Sequence, residues 1–420
     1  MALTVTNATL EGVAVGLRCD AGQITALGPG VEPEPGDERL DGAGMALIPG
    51  LVNGHTHAAM TLFRGYADDL PLMEWLTDHI WPVEKRMDDD DVYWGTRLAC
   101  VEMIRTGTTC FWDMYWHAHA TARAVEDAGV RAVAAAPLID DSDPAKSERA
   151  CADAERSLDQ IADAGGELAR PGLAPHAIYS LSERSLRWVA ERSAELRVPV
   201  QIHLSETEDE LNGCLAEHGE RPAFYLDRVG MLGPHTVLAH GCWLDRAELE
   251  LIADRGATVV TNPVANLKLA VGRVFPYLEA RDAGIEVGLG TDGPGSNNSL
   301  DLLSDAKTFA LLQKNEARDP AAVTAAESLA IATGRRSGLL GGRGLVVGGP
   351  ADFLLVRIDD PELSLGTLDA GLVYAASGAI VDTTVVAGRV LMRGGVVEGG
   401  EEIVANARQR AAGLGLGSRG

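Results

Sequence analysis

Two histidines one residue apart, His55 and His57, end an apolar run that begins at Met45. In an extended strand residues i and i+2 point to the same side, so both imidazoles can converge on one metal ion. Other polar residues able to bind metal stand at the ends of later apolar runs: His176, His203, His240, Asn262 and Asp292. Three neutral imidazoles and one carboxylate suit a single borderline divalent metal per chain, with a position left for water. Zn2+ is the first choice and Fe2+ the other. His55, His57, His203 and Asp292 can supply that set. Such a metal lowers the pKa of its water from about 15.7 to about 7. Glu206 follows His203 in His-Leu-Ser-Glu, where its carboxylate can lean over the same pocket as a proton shuttle. His240 remains to orient the hydroxide or to stabilise developing charge.

The elements that must carry these residues follow from periodicity. Short apolar segments at 46–53, 108–113, 131–139, 172–178, 200–204, 236–240, 258–262 and 286–291 read as strands. Helical stretches at 90–106, 118–128, 182–196, 206–218, 245–255 and 300–315 lie between them. That alternation predicts a parallel α/β fold, a (β/α)8 barrel over residues 48–346, with the site at the C-terminal ends of its strands. Residues 1–47 and 347–400 read as short strands broken by Gly and Pro turns, too few at either end for a stable sheet. They are expected to pair into one small β-sandwich built from both termini, leaving 401–420 as a C-terminal helix or tail.

Composition narrows the partners. The 420 residues carry 36 basic and 61 acidic side chains, a net charge of -25, which would repel a nucleic acid. Lysine occurs only as Lys85, Lys146, Lys268, Lys307 and Lys314. Lysine depletion on an acidic chain fits either a salt-rich cytoplasm, where ions screen self-repulsion, or a GC-rich genome. The six cysteines show no C-x-x-C spacing and are expected to be reduced and buried. No apolar run approaches the roughly 18 residues of a membrane span, and the first residues lack a signal-peptide pattern. A soluble cytoplasmic protein without a membrane partner is the expectation.

Two features look like sites but fit the pattern less well. His117 and His119 form a second His-x-His, yet they lie past the strand end at Asp113 and lead into a helix. The acids Asp88 to Asp91 open a helix, where the macrodipole favours negative charge without any metal.

Four segments carry a family resemblance. Pro49-Gly-Leu-Val-Asn-Gly-His55-Thr-His57, His203-Leu-Ser-Glu206, Ala239-His-Gly241 and Gly290-Thr-Asp-Gly-Pro-Gly-Ser-Asn-Asn298 resemble the amidohydrolase superfamily. More closely, they resemble its S-adenosylhomocysteine, 5′-methylthioadenosine and 5′-deoxyadenosine deaminase branch, related to the triazine hydrolases. The resemblance covers nearly the whole chain, including Asp69-Leu-Pro-Leu-Met-Glu-Trp-Leu76, Trp81-Pro-Val-Glu84 and Leu311-Leu-Gln-Lys314. It implies His55, His57, His203 and Asp292 as metal ligands, and Glu206 and His240, with Asp292, as catalytic groups. It implies His176 as a substrate contact and Glu84 as the acid that grips ribose hydroxyls. Arg149 is the candidate for gripping a homocysteine carboxylate. The segment Thr261-Asn-Pro-Val-Ala-Asn266, and Ile178 and Leu181, depart from the branch pattern at lining positions.

The implied reaction is hydrolytic deamination of an adenosine derivative: S-adenosylhomocysteine, 5′-methylthioadenosine, 5′-deoxyadenosine or adenosine. Hydroxide attacks C6 and Glu206 protonates N1. His240 steadies the hydroxide, and Asp292 passes the proton of the attacking water to the departing ammonia. The alternatives are a deaminase or chlorohydrolase of another aminated heterocycle (guanine, cytosine or an s-triazine) and a non-enzymatic scaffold. A ribose-gripping Glu84 has no purpose for a free base. A binuclear site is not expected, because 172–178 lacks the lysine that would bridge two metals. The resemblance also implies a homo-oligomer.

Overall fold

The computed structural model describes residues 2–342 and 344–416, so positions 1, 343 and 417–420 of the expected segments lie outside the described residues. Two parallel sheets form the centre of the molecule. One joins Leu51–Thr56, Thr108–Met114, Arg131–Ala135 and Ala169–Pro171; the other joins Val200–Leu204, Thr236–His240, Thr258–Thr261 and Glu286–Leu289 in chain order. Val200–Leu204, Thr236–His240 and Thr258–Thr261 are buried at every residue. Strands covered on both faces need continuous apolar runs, and parallel strands need a crossover between them. Helices such as Ala118–Ala128, Glu183–Leu196, Glu208–His218 and Arg246–Arg255 supply the crossovers.

Backbone bonds tie the two sheets at both ends of the series. Leu173 N donates to Pro199 O at 2.9 Å, and Gln201 N to Leu173 O at 3.0 Å, beside the short pair Pro137–Leu138 and Ala174–Pro175. At the other junction Asp292 N donates to His55 O at 3.1 Å, while the Asn53 carboxamide bridges both polar groups of Thr291 at 2.7 and 3.0 Å. This junction leaves no space for a side chain at Gly290: a Cβ there would lie 2.3 Å from Asn262 Oδ1 and 2.8 Å from His55 O.

Strands from the two ends of the chain share one nine-stranded sheet. Its central contact is antiparallel, Met45–Pro49 against Phe353–Arg357, with Leu47 opposite Leu355. Val5, Leu17, Leu47, Phe353 and Val385 are buried together in the core of this sheet. The strand expected over 46–53 is therefore two strands. Up to Pro49 the chain pairs with the terminal sheet, and from Leu51 it pairs with Thr108–Met114. An unbroken apolar run cannot reveal such a change of partner, because hydrophobicity records burial and not neighbours. The closing helix Gly400–Gly413 buries Ile403 and Ala407, and its Arg410 pairs with Asp88, Asp90 and Asp91 at the start of Asp89–Thr106.

Asp305, fully buried on Leu302–Ala317, links the short helix Pro263–Lys268 to the loop that carries Asn297: its carboxyl accepts from Val264 N and from the Asn297 side chain, each at 3.2 Å. Burial pushes its pKa up to about 8. A carboxyl that keeps its proton only in the folded state stabilises at low pH, and this contribution is lost as pH rises toward the folded pKa. Asp305→Asn should therefore flatten the fall in Tm between about pH 5 and about pH 8, whatever the lost Asn297 bond does to the absolute Tm. An unchanged pH slope in thermal melts would contradict this.

Candidate metal centre and active-site pocket

The first strand of the central series delivers His55 and His57, the fifth His203 and the loop after the last Asp292. Each imidazole is held by its Nδ1. His55 Nδ1 faces Gln201 Oε1 at 3.1 Å, His57 Nδ1 faces Met114 O at 2.6 Å and His203 Nδ1 faces His176 O at 2.9 Å. All three partners are acceptors only at those oxygens, so the ring protons sit on Nδ1 and the Nε2 lone pairs point the other way. Those lone pairs converge. His55 Nε2 and His203 Nε2 are 3.2 Å apart, and Asp292 Oδ1 lies 3.5 Å from His55 Nε2 and 3.1 Å from His57 Nε2.

Facing lone pairs and a carboxylate, all buried, repel one another unless a cation lies between them. Burial holds the His55 pKa down to about 4 and His203 well below its ordinary value, so both remain neutral ligands near pH 7. Burial acts against charge on His57 too, but the Asp292 carboxylate outweighs it and raises that imidazole to about 9. The donor set therefore demands positive charge at its centre, and it fits a divalent metal in number, type and tautomer.

Two further groups stand over the chelate. Glu206 is buried, and burial raises its pKa; its Oε1 lies 3.9 Å from His240 Nδ1. That nitrogen donates to Asn266 Oδ1 at 2.8 Å. The Asn262 amide is 3.2 Å from it, and Asn262 Oδ1 has no partner. Exchanging the two ends of that amide lets its oxygen share the same N–H. Either way His240 presents an Nε2 lone pair to the pocket. Ser205, His240 and Asp292 have φ of 51°, 75° and 59°. Left-handed backbone at non-glycine residues costs about 1–3 kcal/mol each, and here it turns the chain at the strand ends that carry the site. The second oxygen of Asp292 accepts from Ser296 Oγ at 2.6 Å.

A small pocket of about 80 Å³ lies beside the chelate. Trp75, Leu76, Ile80, Trp81, Tyr115 and Trp116 form its apolar walls, Glu84 and His176 line it, and no lysine or arginine does so among the described residues. Glu84 is half-buried; its Oε2 accepts from Trp116 Nε1 at 3.1 Å, and burial raises its pKa. His176 Nδ1 contacts Ser180 Oγ at 2.9 Å, while Ser180 donates to Ala177 O. The serine is thus the acceptor, and His176 keeps an Nε2 lone pair for the pocket.

Not every expected residue arrives there. Arg149 lies on the outer face of Ser147–Ala164 with its side chain 90% exposed, and its only ion pair among the described residues is a long one to Asp153. Spacing along the chain could not reveal which turn of that helix faces inward. Arg156, two turns on, lines a groove that adjoins the pocket and shares Trp81, Glu84 and Trp116 with it. His117 and His119 stay outside the chelate and meet Asp89 instead.

Several supporting residues escaped the sequence reading. Gln201 also donates to Asp113 O at 2.8 Å, and buried Asp113 accepts from Ala58 N at 2.6 Å, fixing the turn after His57. Gln201 did carry a signal: it stands two residues before His203 in the same strand, so both point inward. Asn266 sits on the short helix Pro263–Lys268 and Ser296 in a loop, where no periodicity marks a side chain's direction.

An α/β protein whose parallel strands carry three histidines and an aspartate into one apolar pocket has the build of a metal-dependent hydrolase. The chain belongs to the amidohydrolase family, whose model matches residues 46–391. It is 49% identical over 378 residues to a 5′-deoxyadenosine deaminase of Methanoregula boonei, covering 89% of this chain and 86% of that one. It is 40% identical over 398 residues to 5-methylthioadenosine/S-adenosylhomocysteine deaminase 1 of Archaeoglobus fulgidus, covering 94% and 93%. Among solved structures, a zinc-bound adenosine deaminase from Xanthomonas campestris superposes with a TM-score of 0.91 at 35% identity, covering 98% of each chain. Atrazine chlorohydrolase from Arthrobacter aurescens, at 22% identity and a TM-score of 0.88 over 97% of this chain and 100% of that one, shares the fold.

If Gln201 fixes the His55 tautomer, Gln201→Leu should weaken metal binding by about 10- to 100-fold without unfolding the protein. Chelator competition followed by metal analysis measures this; unchanged affinity would remove Gln201 from the design.

Proposed function

We propose that this chain hydrolytically deaminates adenosine derivatives to the inosine analogue and ammonia. The observation that carries the reading is the pairing of buried Glu206, whose pKa burial raises, with His240 over the three-histidine, one-aspartate donor set. The same proposal reads the two central sheets as one closed (β/α)8 barrel over 48–346 and the terminal strands of 1–47 and 347–400 as a β-sandwich, with Gly400–Gly413 as an appended helix. It takes the metal to be zinc, the protein to be cytoplasmic and the assembly to be a homo-oligomer.

A metal held by His55, His57, His203 and Asp292 supplies Lewis acidity that makes water a nucleophile near neutral pH. The protein's residues do the rest. Glu206, its proton affinity raised by burial, donates to N1 of the adenine and draws electrons from C6. His240 receives a hydrogen bond from the attacking water at Nε2 and so aligns its oxygen on C6. The Asp292 carboxylate takes one water proton and returns it to the amino nitrogen, which leaves as ammonia. The other water proton restores Glu206. Glu84 can accept both ribose hydroxyls, and His176 Nε2 offers a further acceptor.

Walls without lysine or arginine among the described residues favour a neutral 5′ group, as in 5′-deoxyadenosine or 5′-methylthioadenosine, over the carboxylate-bearing zwitterion of S-adenosylhomocysteine. Ammonia release from these, from S-adenosylhomocysteine and from adenosine tests the reading, which fails if none is deaminated. Glu206→Gln should lower kcat by at least about 100-fold while metal content stays near one per chain. Loss of metal in that variant would instead mean that a ligand has been misassigned.

A further inference from the structure

We propose that Asp89, His117 and His119 form a second metal site, separate from the catalytic centre, for a borderline divalent transition metal. Asp89 opens the helix Asp89–Thr106, while His117 and His119 flank the start of Ala118–Ala128, which packs on it. Asp89 Oδ1 lies 2.6 Å from His117 Nδ1 and Oδ2 lies 2.9 Å from His119 Nε2. The three donor atoms lie within 4.8 Å of one another, so a small shift puts all of them at bonding distance, about 2.0–2.2 Å, from one ion.

The surroundings support a dedicated cluster. Of the four acids at this helix start, Asp88 and Asp91 form a capping box, and Arg410 pairs with Asp88, Asp90 and Asp91. Asp89 is left to the two histidines, which hold its carboxylate below the ordinary range. His117 takes up left-handed backbone, φ 50° and ψ 42°, a conformation that costs a non-glycine residue about 1–3 kcal/mol and that sets its ring against Asp89.

Two imidazoles and one carboxylate select zinc, cobalt, nickel or copper over magnesium or calcium, which prefer oxygen ligands throughout. Three protein ligands leave coordination positions open. His117 and His119 both line the groove next to the catalytic pocket, with Lys85 and Arg156, so those positions are reachable by water or by an anionic ligand. All three side chains are partly exposed, where three of the four residues of the catalytic set are buried. The second site should therefore be the weaker and should fill after the first.

Titrating Co2+ into protein already loaded with one equivalent of zinc tests this. Wild type should take up one further equivalent, seen in metal analysis and as visible cobalt absorption. His119→Ala and Asp89→Asn should each weaken that uptake at least about tenfold, while the first zinc and its activity stay. His119→Gln serves if His119→Ala does not fold. The proposal is overturned if wild type binds no second equivalent, or if His117→Ala/His119→Ala binds it as well as wild type does.

Discussion

The Nδ1 protons of His55, His57 and His203 go to three oxygens, on Gln201, Met114 and His176, and most of the structure around the site exists to keep those oxygens in place. A neutral imidazole has one N–H and one lone pair, so fixing the proton fixes the ligand atom. Met114 O and His176 O are backbone atoms at strand ends, which only the pairing of whole strands can position. The barrel-like succession of parallel strands is thus the means by which protons are assigned. Gln201 completes it from a neighbouring strand, and Asp113, which takes the Ala58 amide, prevents the chain beyond His57 from relaxing.

Much of this was legible in the sequence, for a physical reason. Val200–Leu204, Thr236–His240 and Ala118–Ala128 were expected at the bounds they have, because buried strands and amphipathic helices leave strong apolar patterns with sharp polar ends. The four residues whose donor atoms meet could be picked out because each terminates such a run. What stayed hidden depends on direction and neighbourhood. Arg149 sits on a helix whose inward face spacing alone did not reveal. The change of sheets after Pro49 lies within one apolar stretch. The meeting of Asp89 with His117 and His119 joins two helix starts that are far apart in composition and character.

Charge is partitioned. A net charge of -25 coexists with a pocket whose walls carry no lysine or arginine among the described residues. Apart from Asp292, the acids near the reaction are raised in pKa by burial: half-buried Glu84 and buried Glu206 and Glu210, the last to about 7 while it accepts the amides of Ser205 and Glu206. Inside the pocket, proton affinity is therefore set by burial more than by the acidic surface, which ions screen.

The bond between Asp292 N and His55 O, with the Asn53 carboxamide on Thr291, 238 positions away, joins the two ends of the strand series. This has a consequence for biogenesis. As the chain leaves the ribosome, His55, His57 and His203 emerge long before their carboxylate partner, and the sheet beneath the first strand waits for Phe353–Arg357. The donor set is thus complete only once Asp292 has been made. A product that stops before that residue holds three imidazoles without their carboxylate, so it cannot bind a metal with the full set.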